Sequence, residues 1–293
     1  MPALRDWVSG ARPRTLPAAI SPVLVGTGAA AAIGSVVLGR AVLALVVAIA
    51  LQVGVNYAND YSDGIRGTDE ERIGPFRLVG SGAAAPATVR TAAFTSFAIA
   101  AAAGLALVLL TRAWWLLALG VLAIAAAWFY TGGRRPYGYR SLGELSVFVF
   151  FGLVAVTGTT YVQVGRVTPL AVVCGAAIGT LACALLVANN LRDIEGDARS
   201  GKRTLAVLIG SAWTRLMYTG LLATAYALAT AIAIAGRPWA AVALLSAPLA
   251  VRAAMPVIHG ARGLALIPVL RDTATTELCF AALLALGLGF GPG

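Results

Sequence analysis

Apolar runs of about twenty residues follow one another along almost the whole chain, and no other feature constrains its fold as much. In hydrocarbon only helices and closed barrels satisfy their own backbone hydrogen bonds, and runs of this length suit helices. Such runs lie near 16–33, 38–59, 88–111, 114–131, 144–164, 169–190, 212–235, 239–257 and 272–290. Composition agrees: 59% of the 293 residues are hydrophobic and only 12% are charged, against roughly a quarter charged in an average soluble domain. The expectation is an all-α integral membrane protein with nine transmembrane helices, and no linker or compositional break divides residues 1–293 into more than one domain.

Nine spans put the two chain ends on opposite sides of the membrane, and the basic residues say which side is which. Eighteen of the 22 bases fall in the N-terminal segment and the alternate loops, leaving Arg40, Arg112, Arg166 and Arg237 opposite. Cytoplasmic loops carry such an excess, so the N-terminus is expected in the cytoplasm and the C-terminus outside. The net charge of +10 is then a matter of topology, and a nucleic-acid partner is not implied. Cys174, Cys183 and Cys279 each sit inside an apolar run and read as buried small apolar residues, neither disulfide nor metal ligands. Trp7, Trp114, Trp115, Trp213 and Trp239 mark span ends, where an interfacial belt explains them. His259, the single histidine, also reads as interfacial.

Two polar stretches interrupt this pattern. The first runs Asn56-Tyr-Ala-Asn59-Asp60-Tyr-Ser-Asp63-Gly-Ile-Arg66-Gly-Thr-Asp69, and the second Asn189-Asn190-Leu-Arg192-Asp193-Ile-Glu195-Gly-Asp197. Four spans separate them, so both face the same, cytoplasmic, side, beside long loops expected at 64–87 and 191–211. Asn189, Asp193 and Asp197 are spaced i, i+4, i+8, which stacks three oxygen-bearing side chains along one helical face. Asn59 and Asp63 repeat the first step 130 residues earlier, a hint of internal duplication.

Carboxylates this close need a compensating cation. Paired hard oxygen donors suit Mg²⁺, which commonly takes one or two carboxylates and completes its shell from a substrate phosphate. Arg66 and Arg77 follow the first stretch, and Arg192, Lys202 and Arg203 flank the second. Topology alone accounts for the arginines, but Lys202 is the chain's only lysine, and an ammonium five residues past Asp197 suits a phosphate. Acids holding Mg²⁺ and bases facing the remaining oxygens make a diphosphate clamp, and an apolar cavity above it implies a lipid at the other end. Departure of an allylic diphosphate leaves a carbocation that aromatic faces stabilise; Tyr57, Tyr61, Phe129, Tyr130, Tyr137, Tyr139 and Tyr161 are available. The stretch from Tyr130 to Glu144 holds Arg134, Arg135 and Arg140, any of which could meet an acidic aromatic acceptor.

At these residues the sequence resembles the UbiA superfamily of intramembrane aromatic prenyltransferases, most closely its naphthoate branch. The likeness rests on Asn56-x-x-Asn59-Asp60-x-x-Asp63-x-x-x-Gly67-x-Asp69, Gly74-Pro-x-Arg77-Leu78, Leu142-Gly143-Glu144 and Asn189-Asn190-Leu-Arg192-Asp193-Ile-x-x-Asp197, continuing to Gly201-Lys202-Arg203-Thr204-Leu205. It implies Mg²⁺-dependent ionisation of a polyprenyl diphosphate and attack by 1,4-dihydroxy-2-naphthoate at the carbon bearing the carboxylate, with loss of CO₂, in a bacterial cytoplasmic membrane. Asp63, Asp69, Asp193 and Asp197 would surround the metal, with Asp60 beside them, and Lys202 would hold diphosphate. Asn59 would order the first motif, and Asn56, Arg66, Arg77, Asn190, Arg203, Tyr130, Tyr139 and Arg140 would complete the substrate site. Gly67 stands where the broad superfamily pattern has a third Asp. Another acceptor, such as 4-hydroxybenzoate or a porphyrin, is the alternative within the class; from a different class, a cation-coupled secondary transporter would also place acids at helix ends, though such sites usually lie near the midplane. The sequence leaves prenyl chain length and oligomeric state open.

Overall fold

The computed structural model describes residues 2–67 and 76–290. Its described elements are helices, joined by short loops and one isolated bridge between Arg140 and Arg203. They are α1 Leu4–Ala11, α2 Pro17–Ala31, α3 Leu38–Gly64, α4 Pro86–Thr111 and α5 Trp115–Phe129. Then follow α6 Gly143–Val164, α7 Pro169–Arg199, α8 Leu205–Ile234, α9 Pro238–Ile258 and α10 Gly263–Phe290.

Among the described residues seven helices, α3, α4 and α6 to α10, are long and apolar enough to cross a membrane. The other two expected spans, α2 and α5, occupy the first and fourth positions as apolar helices of only 15 residues each, so length alone supports seven of the nine. At 1.5 Å per residue that is about 22 Å, short of the roughly 30 Å hydrocarbon core. Local chemistry sets these limits. A 3₁₀ turn, Pro13–Thr15, precedes α2, whose first residue is Pro17, and Gly34 at φ 72° follows it. Ahead of α5 the chain turns at Arg112, which holds a left-handed φ of 56°.

The loop expected at 191–211 is corrected. Helix α7 runs on for 31 residues to Arg199, about 46 Å at the helical rise, so the whole second polar stretch is helical and only 200–204 connect it to α8. The first stretch is likewise helical as far as Gly64. Helix α8 breaks at Gly210, where φ 79° and ψ 166° leave the helical region, so its main part begins close to the expected 212.

Helix α3 packs on α4 and α7 on α8, so each polar stretch lies on the first helix of an antiparallel pair, a spatial counterpart of the repeated spacing. Helix α7 is the axis of the largest core, where Ile178, Leu181 and Val187 pack with Tyr218 and Phe280. Its approach to α6 depends on glycine. A Cβ on Gly152 would stand 2.5 Å from both the Gly175 carbonyl oxygen and the Gly179 Cα, beside a π-helical segment at Phe148–Val154. Helices α2 and α10 run side by side in the same direction, with Gly28 against Ala285 and Ala31 near Gly289. Short α1 is tied to α3: Trp7 meets the Tyr57 ring edge-on at 5.7 Å, and the Tyr57 hydroxyl donates to the Trp7 carbonyl at 2.9 Å.

The three cysteines are free, with Cys174 and Cys183 buried. Trp114, Trp115, Trp213 and Trp239 are more than half exposed at helix ends, as a belt requires. His259 is exposed and its Nδ1 contacts the Met255 carbonyl of its own helix end at 2.8 Å.

Candidate active site

A single cavity of about 970 Å³ joins the ends of α3 and α7 to the interior of the bundle. Its polar end is lined by Asn59, Asp63, Arg77, Tyr139, Asn189, Arg192, Asp197 and Lys202. Beyond them the wall turns apolar, through Leu51, Ala100, Leu105, Leu117, Ile124, Phe150 and Phe151. It reaches Val23, Ala44, Leu107 and Val162, which close a small core of their own.

Asp63 is the centre of the polar end. It is buried in the last turn of α3, and Arg77 and Lys202, themselves buried, converge on it at 3.4 and 3.6 Å. The Tyr139 hydroxyl donates to the same carboxylate. Lys202 also lies 4.7 Å from the centroid of the Tyr139 ring, and the Arg66 guanidinium 5.7 Å, so this ring is covered by cations. Arg66 stays outside the cavity lining and donates to the Thr131 and Gly133 carbonyls, while the Asn59 side-chain oxygen accepts from the Thr131 hydroxyl at 2.7 Å. Together they hold the α5–α6 loop over the end of α3.

The same loop is stitched to 200–204. The Arg203 N–H donates to the Tyr139 carbonyl at 3.0 Å, and the Ser141 hydroxyl to the Arg203 carbonyl at 2.6 Å. The side chains of Arg140 and Arg203 are exposed and line no part of the cavity; their backbones set Tyr139 and Lys202 side by side. Tyr130 and Tyr137 do line it, edge to face with centroids 5.5 Å apart. Burial, and next the Glu144 carboxylate, raise the Tyr130 pKa far above the ordinary phenol value, so it remains a neutral hydroxyl. Arg134 and Arg135 are outside the lining.

The structure divides the acids of the two stretches by task. Both oxygens of buried Asp60 accept backbone N–H groups, from Leu78 at 2.7 Å and Val79 at 3.0 Å, so this residue anchors the loop that carries Arg77 and is absent from the cavity wall. The single face expected for Asn189, Asp193 and Asp197 is likewise split. Asn189 and Asp197 line the cavity, whereas Asp193 takes a two-pronged contact from Arg192, 2.7 Å to each oxygen, and Arg192 faces the cavity in its place. Successive steps of four residues advance 40° around a helix, and the neighbouring guanidinium turns the middle acid away. Asp69 lies outside the described residues. Asn56 reaches the cavity but donates to the Ala11 carbonyl and the Thr15 hydroxyl, tying α3 to the chain before α2. Asn190 donates to Glu144 at 2.9 Å. Of the other tyrosines, Tyr61 stacks on Trp128, Tyr161 meets Trp115 and Tyr57 meets Trp7; Phe129 is exposed.

Sequence reasoning missed Arg12, Arg14 and Arg271 as cavity residues. They lie before α2 and early in α10, far in sequence from either polar stretch, and read there only as topology signals. Among the described residues no group of three or more His, Cys, Asp or Glu could enclose a metal ion. The donors that do face the cavity, Asp63 and Asp197, are hard oxygens, and they fit an ion that uses one or two carboxylates and finds its other ligands on a phosphate.

Residues 19–266 match the family model described as the UbiA prenyltransferase family. A protein of Mycobacterium tuberculosis (strain ATCC 25618 / H37Rv) called 1,4-dihydroxy-2-naphthoate octaprenyltransferase is 58% identical over 291 residues, covering 99% of each chain. Among solved structures, the apo form of a UbiA homologue from Aeropyrum pernix K1 superposes with a TM-score of 0.72 at 19% identity, covering 92% of this chain and 97% of the other. A UbiA homologue from Archaeoglobus fulgidus, solved bound to GPP and Mg²⁺, gives 0.66 at 15% identity, covering 95% and 99%. At those identities the structural likeness speaks for the fold.

Proposed function

The chain belongs to the UbiA prenyltransferase family, and we propose that it transfers a polyprenyl group from polyprenyl diphosphate to 1,4-dihydroxy-2-naphthoate, releasing CO₂ and diphosphate and giving demethylmenaquinol. The observation that carries this reading is the cavity: a charged end holding Asp63, Asp197, Arg77 and Lys202 opens into an apolar interior, the two halves of a diphosphate with a lipid tail. The choice of acceptor is supported by the 58% identical relative named for it.

Lys202 and Arg77 hold the diphosphate oxygens, exchanging part of their hold on Asp63 for the substrate. Asp63 and Asp197 would hold Mg²⁺, and the Archaeoglobus fulgidus homologue was solved with Mg²⁺ and GPP together. Bound there, the ion supplies neutralisation of charge on the departing diphosphate. Asp193 acts one step back, keeping the Arg192 guanidinium aimed into the cavity, and Asp60 does the same for the segment bearing Arg77.

The chemistry needs no proton from the protein. The allylic C–O bond breaks with its electron pair going to diphosphate, and the electron-rich ring attacks the allylic carbon through the position bearing the carboxylate. The C–carboxylate bond then breaks, CO₂ leaves, and its electron pair restores the aromatic diol. Tyr130, Tyr137, Phe150 and Phe151 supply aromatic faces and exclude water around the cation. Tyr139, already covered by Lys202 and Arg66, serves to set those cations.

The reading places the protein as a multi-pass component of a bacterial cytoplasmic membrane, with the N-terminus and the charged end of the cavity cytoplasmic and the C-terminus outside. It is tested with purified protein in detergent, 1,4-dihydroxy-2-naphthoate and a polyprenyl diphosphate. Prenylated quinol, CO₂ and diphosphate should form together and stop on chelation. Diphosphate released without naphthoate product would transfer the reading to another acceptor such as 4-hydroxybenzoate.

A further inference from the structure

Of the cavity arginines outside the diphosphate clamp, Arg14 and Arg271 are the two that are exposed. Arg14 sits in the 3₁₀ turn ahead of α2, and Arg271 in the first turns of α10. Helices α2 and α10 run parallel, and the offset that sets Gly28 against Ala285 puts Arg14 level with Arg271; the 3₁₀ turn itself packs against α10. Both side chains line the cavity and both residues are exposed, so they stand at its open, charged end.

Their electrostatic setting differs from that of the clamp. Arg77 and Lys202 share Asp63, and Arg192 is matched by Asp193. Among the described residues nothing pairs with Arg14, and Arg271 has only Asp272, at 3.2 Å. That carboxylate is also engaged by Arg252, with Nε to Oδ2 at 2.9 Å and Nη2 to Oδ1 at 3.2 Å. One acid therefore faces two guanidiniums, and the rim keeps a surplus of positive charge that includes Arg14. Topology alone would place arginines on this side, but Arg134, Arg135 and Arg252 satisfy topology without lining the cavity.

We propose that Arg14 and Arg271 form the binding site for the carboxylate of the aromatic acceptor, on a wall of the cavity built from α2 and α10 and apart from the diphosphate site of α3 and α7. This rests on the transferase reading above. A planar guanidinium matches a carboxylate with two parallel hydrogen bonds, and a site at the aqueous rim loads an anionic acid without drawing its charge through the apolar interior. It also accounts for specificity, because a neutral naphthalenediol lacks the group that the pair recognises.

The test uses the full chain in detergent, with Arg14→Ala, Arg271→Ala and the double variant, and Arg134→Ala as a control outside the cavity. The KM for 1,4-dihydroxy-2-naphthoate should rise about tenfold in each single variant, the loss of one charged hydrogen-bonding partner, and further in the double. The KM for polyprenyl diphosphate should stay within twofold. Competitive inhibition by the carboxamide analogue of the naphthoate should be equally weak in wild type and variants. An unchanged naphthoate KM would overturn the proposal. So would a joint rise for both substrates, or an effect seen only when anionic lipid is added, which would make the pair a headgroup contact. Equilibrium binding of the naphthoate, followed by tryptophan fluorescence, gives the same comparison without turnover. If wild type binds it and the variants do not, the pair stands whatever product forms; if wild type makes no prenylated naphthalenediol, the transferase reading fails by itself.

Discussion

Replacing Lys202 by Met removes the ammonium while keeping a chain of similar length, and the structure sets the size of the effect. In the resting site Nζ is 3.6 Å from Asp63 Oδ1, which at an effective dielectric constant near 20 corresponds to a gross attraction of about 4–5 kcal/mol. Removing a buried ammonium from water costs several kcal/mol, so the net loss of stability should be small, about 1 kcal/mol. Arg77 and Tyr139 remain on Asp63. The effect on binding is larger. A charged hydrogen bond to a diphosphate oxygen is worth about 1.5–3 kcal/mol, and at about 1.4 kcal/mol per factor of ten kcat/KM for polyprenyl diphosphate should fall roughly 10- to 150-fold. The assay varies polyprenyl diphosphate at saturating naphthoate and Mg²⁺, then reverses the two substrates. Naphthoate KM should stay constant, and Lys202→Arg should restore part of the rate. A fall below threefold, or an equal rise in naphthoate KM, would refute the placement of Lys202 on diphosphate.

Tyr139→Phe deletes the hydroxyl that donates to Asp63 but keeps the ring beneath Lys202, so kcat/KM for the diphosphate substrate should fall about fivefold, the worth of roughly 1 kcal/mol. Tyr139→Ala, which also removes the ring, should lose several times more. Asp60→Ala leaves the N–H groups of Leu78 and Val79 without their acceptor. About 2–3 kcal/mol of stability should be lost, read as a lowered denaturation midpoint in detergent, with Asp60→Asn milder; an unchanged midpoint would remove Asp60 from the role of anchor. Gly152→Val sets a side chain where 2.5 Å separates a Cβ from α7. It should cost about 3 kcal/mol through overpacking, and folded protein of wild-type stability would contradict the observed α6–α7 contact.

The lattice of apolar runs was legible because a bilayer enforces it: every backbone group must be satisfied within its own helix, and the helix must be long enough. Seven of the expected runs became long helices. The other two could not be measured from hydropathy, because Pro13, Pro17 and the turn at Arg112 shorten the helices without changing the apolar count. Hydropathy likewise misplaces the start of the loop expected at 191–211, although the i, i+4, i+8 spacing already implies a helix through Asp197. Charge ends the expected span at 190, but the helix continues to Arg199, since a helix can rise past the membrane while its polar side chains find partners among neighbouring segments or line a cavity.

For the site, spacing identified the two stretches, and both reach one cavity through Asp63 and Asp197. What spacing could not decide is which carboxylate lines that cavity. Asp60 and Asp63 lie three residues apart on one helix, yet one is spent on the backbone of a loop and the other faces substrate space. Asp193 fits the helical repeat as well as Asp197 but is taken by Arg192 beside it. Arg14 and Arg271 come to line one cavity only because the first and last apolar helices pack side by side. Local sequence carries periodicity, charge and turn chemistry, and these determined the membrane lattice and the two acidic helix ends. The partner of an ionised group is chosen by contacts among segments as far apart as Asp63 and Lys202, 139 residues along the chain, and only the packed bundle decided those.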